Sequence, residues 1–393
     1  RELRQLEGGW ISTEQVKRSR VRLQRLGYFE EVNVETPAVP GTDDQVDVNF
    51  NVKERSTFGS FVFGVGFSQS QGLLLNSSVS EDNFLGTGKR VSATINNSRV
   101  NTIYSFSYTN PYYTQDGVSR GFRLFWRTTD AGRANVADFT SDAYGGNVNY
   151  GIPLSEYDTL RASVGLEHTK LKTLSTTPQA YVNYINDNKD EFDVYQLGLS
   201  WSHDTRNRAF FPDAGILQRL SLDAAVPGSG VTYYKLASRT SWYQALNKYF
   251  TLVAEGDVAY GEAYGDTSGF PFFENYYAGG ISSVRGYRAN SLGPKENGRA
   301  LGGAFRTLAS AEVFFPPPFA ADTNSFRFGI FFDIGNVFAS VDDFDGSELR
   351  YSTGVSALWL SPLGPLTFSF GKALNKQAQD DTEIFQFSLG AAF

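Results

Sequence analysis

Hydrophobic and polar residues alternate along most of the chain from about residue 57 onward. In one clear segment, Phe61, Phe63 and Val65 are separated by single residues, and the same spacing returns at residues 104–108, 160–167, 195–201, 220–224, 326–334, 366–370 and 385–393. A period of two places successive side chains on opposite faces of a β-strand. We therefore predict strands with one apolar face and one small, polar or charged face.

The connections between these predicted strands alternate in length. Short ones are rich in turn residues and lie at residues 83–86, 153–156, 246–248 and 361–365, whereas long polar ones lie at about 171–190 and 262–302. Counting strands from residue 58 gives about sixteen. A soluble sandwich of two sheets would show the same alternation within each strand. Tight turns on one rim and long loops on the other favour a 16-stranded antiparallel transmembrane β-barrel over residues 55–393.

Residues 1–54 follow a different pattern. Residues 13–26 carry apolar side chains among Lys and Arg at close to helical spacing, and strand-like segments follow at residues 29–36 and 46–53. Residues 1–7 also have a helical pattern, so we expect a helix there. The chain is therefore predicted to be mainly β, with a small α+β domain preceding the barrel.

The composition is consistent with a barrel wall. Aromatic residues make up 15% of the chain, with 33 Phe and 21 Tyr, and 39 Gly are spread among them. No segment approaches the roughly 18 consecutive apolar residues of a membrane helix, so any membrane span must be made of strands. The absence of Cys excludes disulfides and thiol chemistry. The chain begins at Arg1 and has no Met, so we expect it to be an internal fragment of a longer precursor.

Several motifs in the same order resemble the BamA family, the central subunits of the machine that assembles outer-membrane β-barrels. The most specific is Val284-Arg285-Gly286-Tyr287, preceded by residues 275–280 (NYYAGG). The others lie at residues 82–88 (DNFLGTG), 109–112 (TNPY), 211–215 (FPDAG), 292–294 (LGP) and 361–366 (SPLGPL). Residues 1–7 and 27–29 resemble the last polypeptide-transport-associated (POTRA) domain of that family. The resemblance covers essentially the whole chain.

This resemblance implies an outer-membrane insertase that folds and inserts β-barrel proteins without ATP, with its POTRA domain in the periplasm. It implies no enzymatic activity, no cofactor and no nucleic-acid partner. The implied partners are accessory outer-membrane lipoproteins, unfolded outer-membrane protein clients, periplasmic chaperones and outer-membrane lipid. Arg4 and Glu7 match positions that face a partner lipoprotein in the family, although a solvated surface explains them equally well from the sequence.

The charges within the predicted wall suggest a loop lock, formed by Val284, Arg285, Gly286, Tyr287, Glu312 and Asp333. The alternation places Glu312 and Asp333 toward the lumen on adjacent strands, and Arg285 lies in the long loop before them. Intramembrane charges are costly unless they are paired, so a guanidinium that reaches both carboxylates would hold the loop inside the barrel. The alternative is that the acids line a wet lumen while Arg285 remains in solvent.

The first and last strands, at residues 58–68 and 383–393, must close the barrel. We name their contact the lateral seam, with candidate residues Gly59, Phe61, Gly64, Gly66, Gln386, Gly390 and Phe393. Glycine weakens strand order and permits kinks, which favours a lateral gate held by few hydrogen bonds. The alternative is that these glycines relieve crowding in a curved wall.

Other functions have weaker support. His168 and His203 are the only histidines, and neither lies in a recognisable nucleophile motif, so an outer-membrane hydrolase is disfavoured. A passive porin would explain the barrel but not the α+β domain or the Arg-Gly-Tyr loop. A TamA-like translocation factor or a two-partner secretion transporter would share both features and remains the main alternative.

Overall fold

The structure is a computed structural model that describes residues 2–25, 28–54, 59–317, 325–361 and 364–390. Within these ranges the chain forms a small α+β domain followed by a closed barrel. Neither described helix is long and apolar enough to cross a membrane.

The N-terminal domain consists of α1 (Thr13–Arg25), β1 (Phe29–Glu35) and β2 (Asn49–Glu54), with the two strands antiparallel. The helix predicted for residues 1–7 is absent from the described residues 2–7, so that prediction was wrong. Gln5 instead closes a turn there, because its side chain accepts from the Ser12 N–H at 2.9 Å and donates to the Trp10 carbonyl at 3.1 Å. Gly8 follows in a left-handed conformation, with φ +70, which a right-handed helix cannot contain.

Twenty further strands follow among the described residues. They are β3 (Ser60–Ser68), β4 (Gly72–Glu81), β5 (Arg90–Asn97), β6 (Asn101–Asn110), β7 (Ser119–Asp130), β8 (Thr140–Pro153), β9 (Asp158–Lys172), β10 (Glu191–Asp204), β11 (Ala214–Ala225), β12 (Tyr233–Ala245), β13 (Thr251–Ala263), β14 (Gly286–Tyr287), β15 (Lys295–Glu296), β16 (Arg299–Ala300), β17 (Phe305–Phe315), β18 (Phe326–Phe338), β19 (Arg350–Ser361), β20 (Gly364–Ala373), β21 (Thr382–Glu383) and β22 (Phe385–Leu389). The two-residue strands β14, β15, β16 and β21 lie outside the barrel wall.

The other sixteen strands form one closed antiparallel barrel, which confirms the predicted strand number and fold class. Each strand pairs with its neighbours in sequence, and β22 closes the wall against β3. Large apolar side chains such as Leu124, Trp126 and Val164 are exposed on the outer face. Small polar residues such as Ser352 and Ser369 are buried on the inner face. The apolar face therefore points outward, as in a membrane barrel.

The long connections close one end of the barrel, which we name the long-loop rim. The segment between β9 and β10 contains α2 (Gln179–Asn188), whose Tyr181 stacks on Phe272 with ring centroids 4.0 Å apart. Phe139 meets Phe272 edge-on at 5.0 Å, within an apolar cluster built from several loops. Burial raises the pKa of the Tyr181 phenol above its usual range. These contacts form a packed lid rather than a set of independent loops.

The opposite end, the short-turn rim, contacts the N-terminal domain. The Tyr28 hydroxyl donates to the Gly88 carbonyl at 3.0 Å, in the connection between β4 and β5. Burial, together with nearby Asp82, raises the pKa of the Tyr28 phenol. This direction favours the protonated phenol, which is the form that donates the hydrogen bond. This bond attaches the α+β domain to the rim that carries the tight turns.

Candidate functional site

The long connection between β13 and β17 folds into the barrel lumen. Gly279 and Gly280 adopt positive φ angles of +101 and +95, and this backbone conformation allows the segment to turn back on itself. Adding a Cβ to Gly279 would place that atom 2.3 Å from the Arg288 carbonyl oxygen, so only glycine fits this turn. The segment then pairs as β14 with β21, with Gly286 opposite Glu383 and Tyr287 opposite Thr382.

Arg285 lies inside the lumen and bridges two acidic residues of the wall. Its Nε and Nη2 donate to the two carboxylate oxygens of Asp333 at 2.8 and 2.7 Å, and its Nη1 donates to Glu312 at 2.8 Å. The three residues are 7%, 0% and 9% exposed, respectively. The Arg285 backbone N–H also donates to Asp333 at 3.0 Å. The planar guanidinium thus grips Asp333 at two points, the geometry that gives Arg its specificity for carboxylates.

The neighbouring side chains complete the hydrogen bonding of these charges. The Ser310 hydroxyl donates to Asp333 at 2.7 Å, and Ser356 donates to Glu312. The Arg285 guanidinium also lies over the Phe331 ring, 3.5 Å from its centroid. Buried charges are tolerated when they are paired and their remaining oxygens are hydrogen-bonded, and both conditions hold here. The cluster is therefore built to retain the loop inside the barrel.

The residues on either side of Arg285 are fixed by packing. Val284 and Tyr287 are both fully buried, in an apolar cluster with Ala278, Leu292 and Val337. The Tyr287 hydroxyl also lies 3.3 Å from the Asn375 side-chain oxygen.

Gly286 brings the loop backbone against the wall. It has φ +87, and a Cβ added to Gly371 of β20 would lie 2.7 Å from the Gly286 nitrogen. Glycine is thus required on both sides of this contact, for conformation at Gly286 and for space at Gly371. All six residues of the predicted loop lock meet in one region of the lumen.

Three supports of this cluster, Ser310, Ser356 and Phe331, were not predicted from the sequence. All three lie at inward positions of the alternation, and Ser310 is two residues from Glu312. The period of two therefore carried a signal for Ser310, whereas Ser356 is brought to Glu312 by the register of separate strands.

The lateral seam is short over the described residues. Between β22 and β3, only Ser388 opposite Ser68 and Leu389 opposite Phe67 are in register. On either side of it, five pairs join β20 to β22 and nine join β3 to β4. Phe67 and Phe387 stack across the outside of the seam, with centroids 5.0 Å apart. The wall is therefore joined less extensively here than at the strand pairs on either side.

The candidate glycines of the lateral seam differ in what surrounds them. A Cβ added to Gly66 would lie 2.8 Å from the Leu389 carbonyl oxygen, and one added to Gly390 would lie 3.1 Å from the Gly66 Cα. Gly64 has ordinary space, with its nearest such contact at 3.8 Å, and Gly59 precedes β3. Gly66 and Gly390 therefore permit a close backbone approach at the closure.

The remaining candidate residues of the lateral seam differ in burial, as far as the structure describes them. Phe61 is exposed on the outer face, and Phe393 lies outside the described residues. Gln386 is fully buried, and its amide faces the loop inside the lumen rather than β3. Arg4 and Glu7 are exposed in the segment before α1, where the Arg4 backbone N–H donates to the Ser19 hydroxyl at 2.7 Å.

Comparisons with known proteins agree over the whole chain. A family model described as the Omp85 superfamily domain matches residues 83–393, and a POTRA model described as surface antigen variable number repeat matches residues 1–55. The outer membrane protein assembly factor BamA of Neisseria meningitidis is 34% identical over 432 aligned residues, covering 100% of this chain and 54% of the relative.

Solved structures show the same likeness. The structure of BamA from Haemophilus ducreyi lacking POTRA domains 1–3 has a TM-score of 0.87 at 32% identity, covering 98% of this chain and 80% of that one. CdiB from Acinetobacter baumannii has a TM-score of 0.60 at 12% identity, covering 99% and 70%, which is a likeness of fold alone. The chain spans about half the length of the curated relatives it matches, 54%, 49% and 52% of the first three.

Proposed function

Because this chain belongs to the Omp85 superfamily, we propose that it folds and inserts β-barrel proteins into a bacterial outer membrane. The barrel lies in the outer membrane and the POTRA domain in the periplasm, so the short-turn rim is periplasmic and the long-loop rim is extracellular. The proposed activity is physical rather than enzymatic and consumes no nucleotide. Its clients are unfolded outer-membrane proteins delivered by periplasmic chaperones.

The short pairing at the lateral seam is the observation that supports this proposal best. A client strand entering lipid unpaired would expose backbone polar groups at a cost of several kcal/mol each. An edge strand offers such groups a temporary partner. Each ladder hydrogen bond contributes about 1 kcal/mol net. Among the described residues the seam has two registered pairs, Ser388 with Ser68 and Leu389 with Phe67, and so few pairs need little free energy to open.

The alternative assignment to a TamA-like factor or a two-partner secretion transporter has less support. Such proteins share the barrel and the POTRA domain, so the fold does not separate the two functions. The close relatives named as assembly factors favour assembly, whereas the likeness to CdiB is one of fold alone. Secretion of a soluble passenger, with no barrel insertion by the same purified protein, would support the alternative.

A covalent closure of the lateral seam tests the proposed function. Phe67 and Leu389 lie directly opposite each other, so cysteines at both positions should form a disulfide across the seam. Leu199 and Leu222, opposite each other on β10 and β11, provide a matched pair in the middle of the wall. The chain has no native Cys to interfere.

We expect oxidation of the seam pair to stop client insertion in liposomes that contain no nucleotide, and reduction to restore it. Oxidation of the mid-wall pair should leave insertion unchanged, because that strand pair stays closed in any case. Normal insertion with the seam pair fully oxidised would exclude lateral opening as the mechanism.

A further inference from the structure

The side chain of Gln386, on β22, makes contacts that its position in the barrel wall does not by itself explain. Its side chain is fully buried on the lumen side, opposite Ser369 of β20. The Gln386 Nε2 donates to the Tyr287 carbonyl at 2.7 Å, and the Gly286 N–H donates to the Gln386 Oε1 at 3.3 Å. Both ends of the amide are thus used by consecutive backbone groups of the loop. A primary amide is suited to this task because it carries a donor and an acceptor side by side.

The loop residues that Gln386 contacts follow Arg285 directly. Arg285 fixes the loop to β17 and β18 through Glu312 and Asp333, whereas Gln386 belongs to β22 at the lateral seam. Between these attachment points lie β19 and β20 of the wall. The loop therefore forms an inner strap from the middle of the wall to its last strand, independent of the hydrogen bonds in the wall itself.

This strap adds to the attachment that β22 has within the described part of the wall. On the wall side, β22 has five registered pairs with β20 and two with β3. The residues just before it are also bound, because β21 pairs with β14 and the Gly371 N–H donates to the Ile384 carbonyl at 2.8 Å. Loss of the bonds to Gln386 would remove two of the contacts that hold β22 from inside.

We propose that Gln386 is a positioning residue that couples the loop lock to the lateral seam. While the loop is held by Arg285, Gln386 keeps β22 in register with β20 and so sets how readily the seam opens. The inference rests on the proposed function, in which the seam receives client strands. It adds to that function a defined connection between the loop and the seam, made by one side chain that touches the loop backbone.

The test compares three variants of the protein in lipid nanodiscs by hydrogen exchange of backbone amides, without any client. Gln386→Leu keeps the side-chain size but removes both hydrogen bonds, and Gln386→Glu keeps only the acceptor for Gly286. Ser369→Ala is the matched control, because Ser369 is the buried cross-strand neighbour and its hydroxyl has no partner among the described residues.

We expect Gln386→Leu to speed amide exchange about thirtyfold in β22, β14 and β3, the change expected when two ordinary hydrogen bonds are lost. Gln386→Glu should lie between Gln386→Leu and the wild type, and Ser369→Ala should match the wild type. The heat-unfolding midpoint and the exchange of β9 to β12 should stay unchanged, which a general weakening of the barrel would not allow.

Equal exchange in Gln386→Leu and Ser369→Ala would overturn the coupling, and so would faster exchange spread evenly over all strands. Client insertion is then measured separately with the same variants. Because the exchange experiment contains no client, loss of the proposed insertase function would leave its result intact. The two ideas can therefore fail independently.

Discussion

The Arg285 guanidinium is buried inside the barrel wall, where an unpaired charge would be costly. Three of its nitrogens donate to carboxylates, and its face covers the Phe331 ring. Removing one member of such a cluster leaves the others buried and uncompensated, which typically costs about 3–5 kcal/mol. The position of the loop therefore depends strongly on this single side chain.

We predict that Arg285→Ala lowers the stability of the folded barrel by about 3–5 kcal/mol and abolishes client insertion, because Asp333 and Glu312 lose their counter-charge. Arg285→Lys should rescue only partly, since an ammonium cannot grip Asp333 at two points. Denaturant unfolding and an insertion assay measure the two effects. Arg288→Ala is the matched control, because Arg288 is exposed in the same loop. An effect as large in Arg288→Ala would contradict the assigned role.

At this scale the sequence was informative where a residue broke the local pattern. Glu312 and Asp333 stood out because charges in an apolar alternation are rare, whereas Arg285 stood out through the Val-Arg-Gly-Tyr motif of the long loop. The contacts of Gln386 with the loop could not be predicted, because they depend on the path of a long loop through the lumen. The sequence around an inward-facing Gln on a barrel strand does not tell whether its side chain binds a loop or faces water in the lumen.

At the scale of elements, the lateral seam shows the limit of alternation as a guide. The alternation predicts that residues 58–68 lie against residues 383–393, whereas among the described residues only the final residues of β3 pair with β22. Alternation fixes which face a side chain occupies, but a shift of register by two leaves every face unchanged. The extent of pairing therefore had to come from the structure.

The lid at the long-loop rim shows that the sequence pattern is also a limited guide to helices. Residues 171–190 were predicted to be a polar loop, yet α2 lies within them. A ten-residue helix is marginal alone, so its stability comes from packing against Phe272 and other aromatic rings from distant loops. Such a helix cannot be predicted from its own composition.

We predict that Phe272→Ala weakens the lid by about 3–5 kcal/mol, the usual cost of removing a buried aromatic ring. Tyr181 and Phe139 would lose their common packing partner. Limited proteolysis of intact cells should then cleave residues 171–190 faster. Leu174→Ala changes an exposed residue of the same segment and should have little effect. Unchanged protection in Phe272→Ala would show that the aromatic cluster does not hold the lid.

At the scale of the whole molecule, the fold could be predicted because it depends on simple features of the sequence, the alternation within strands and the lengths of their connections. The alternation of apolar and polar residues predicted about sixteen strands, and the described residues form a closed barrel of sixteen. The attachment of the N-terminal domain through Tyr28 and Gly88 was not predictable, because it joins segments that have no common pattern.

We predict that an accessory lipoprotein binds the N-terminal segment through Arg4 and Glu7, two exposed charges of opposite sign. Glu7→Lys should reduce lipoprotein copurified from membranes at least tenfold, since a reversed rim charge opposes a complementary surface. Glu35→Lys makes the same charge change at an exposed position at the end of β1 and should not. Equal losses in both variants would indicate a general effect of charge rather than a docking site.

The close approach of Gly66 to Leu389 and Gly390 has a consequence for selectivity. The nearest atoms at this closure belong to the main chain, which is the same in every polypeptide. Under the proposed function, an edge that recognises main-chain groups would read no amino-acid code and would accept strands of unrelated sequence. Discrimination between such strands must then come from their length and from the aromatic side chains that meet Phe67 on the lipid side. A promiscuous template of this kind is consistent with one protein serving many different barrels.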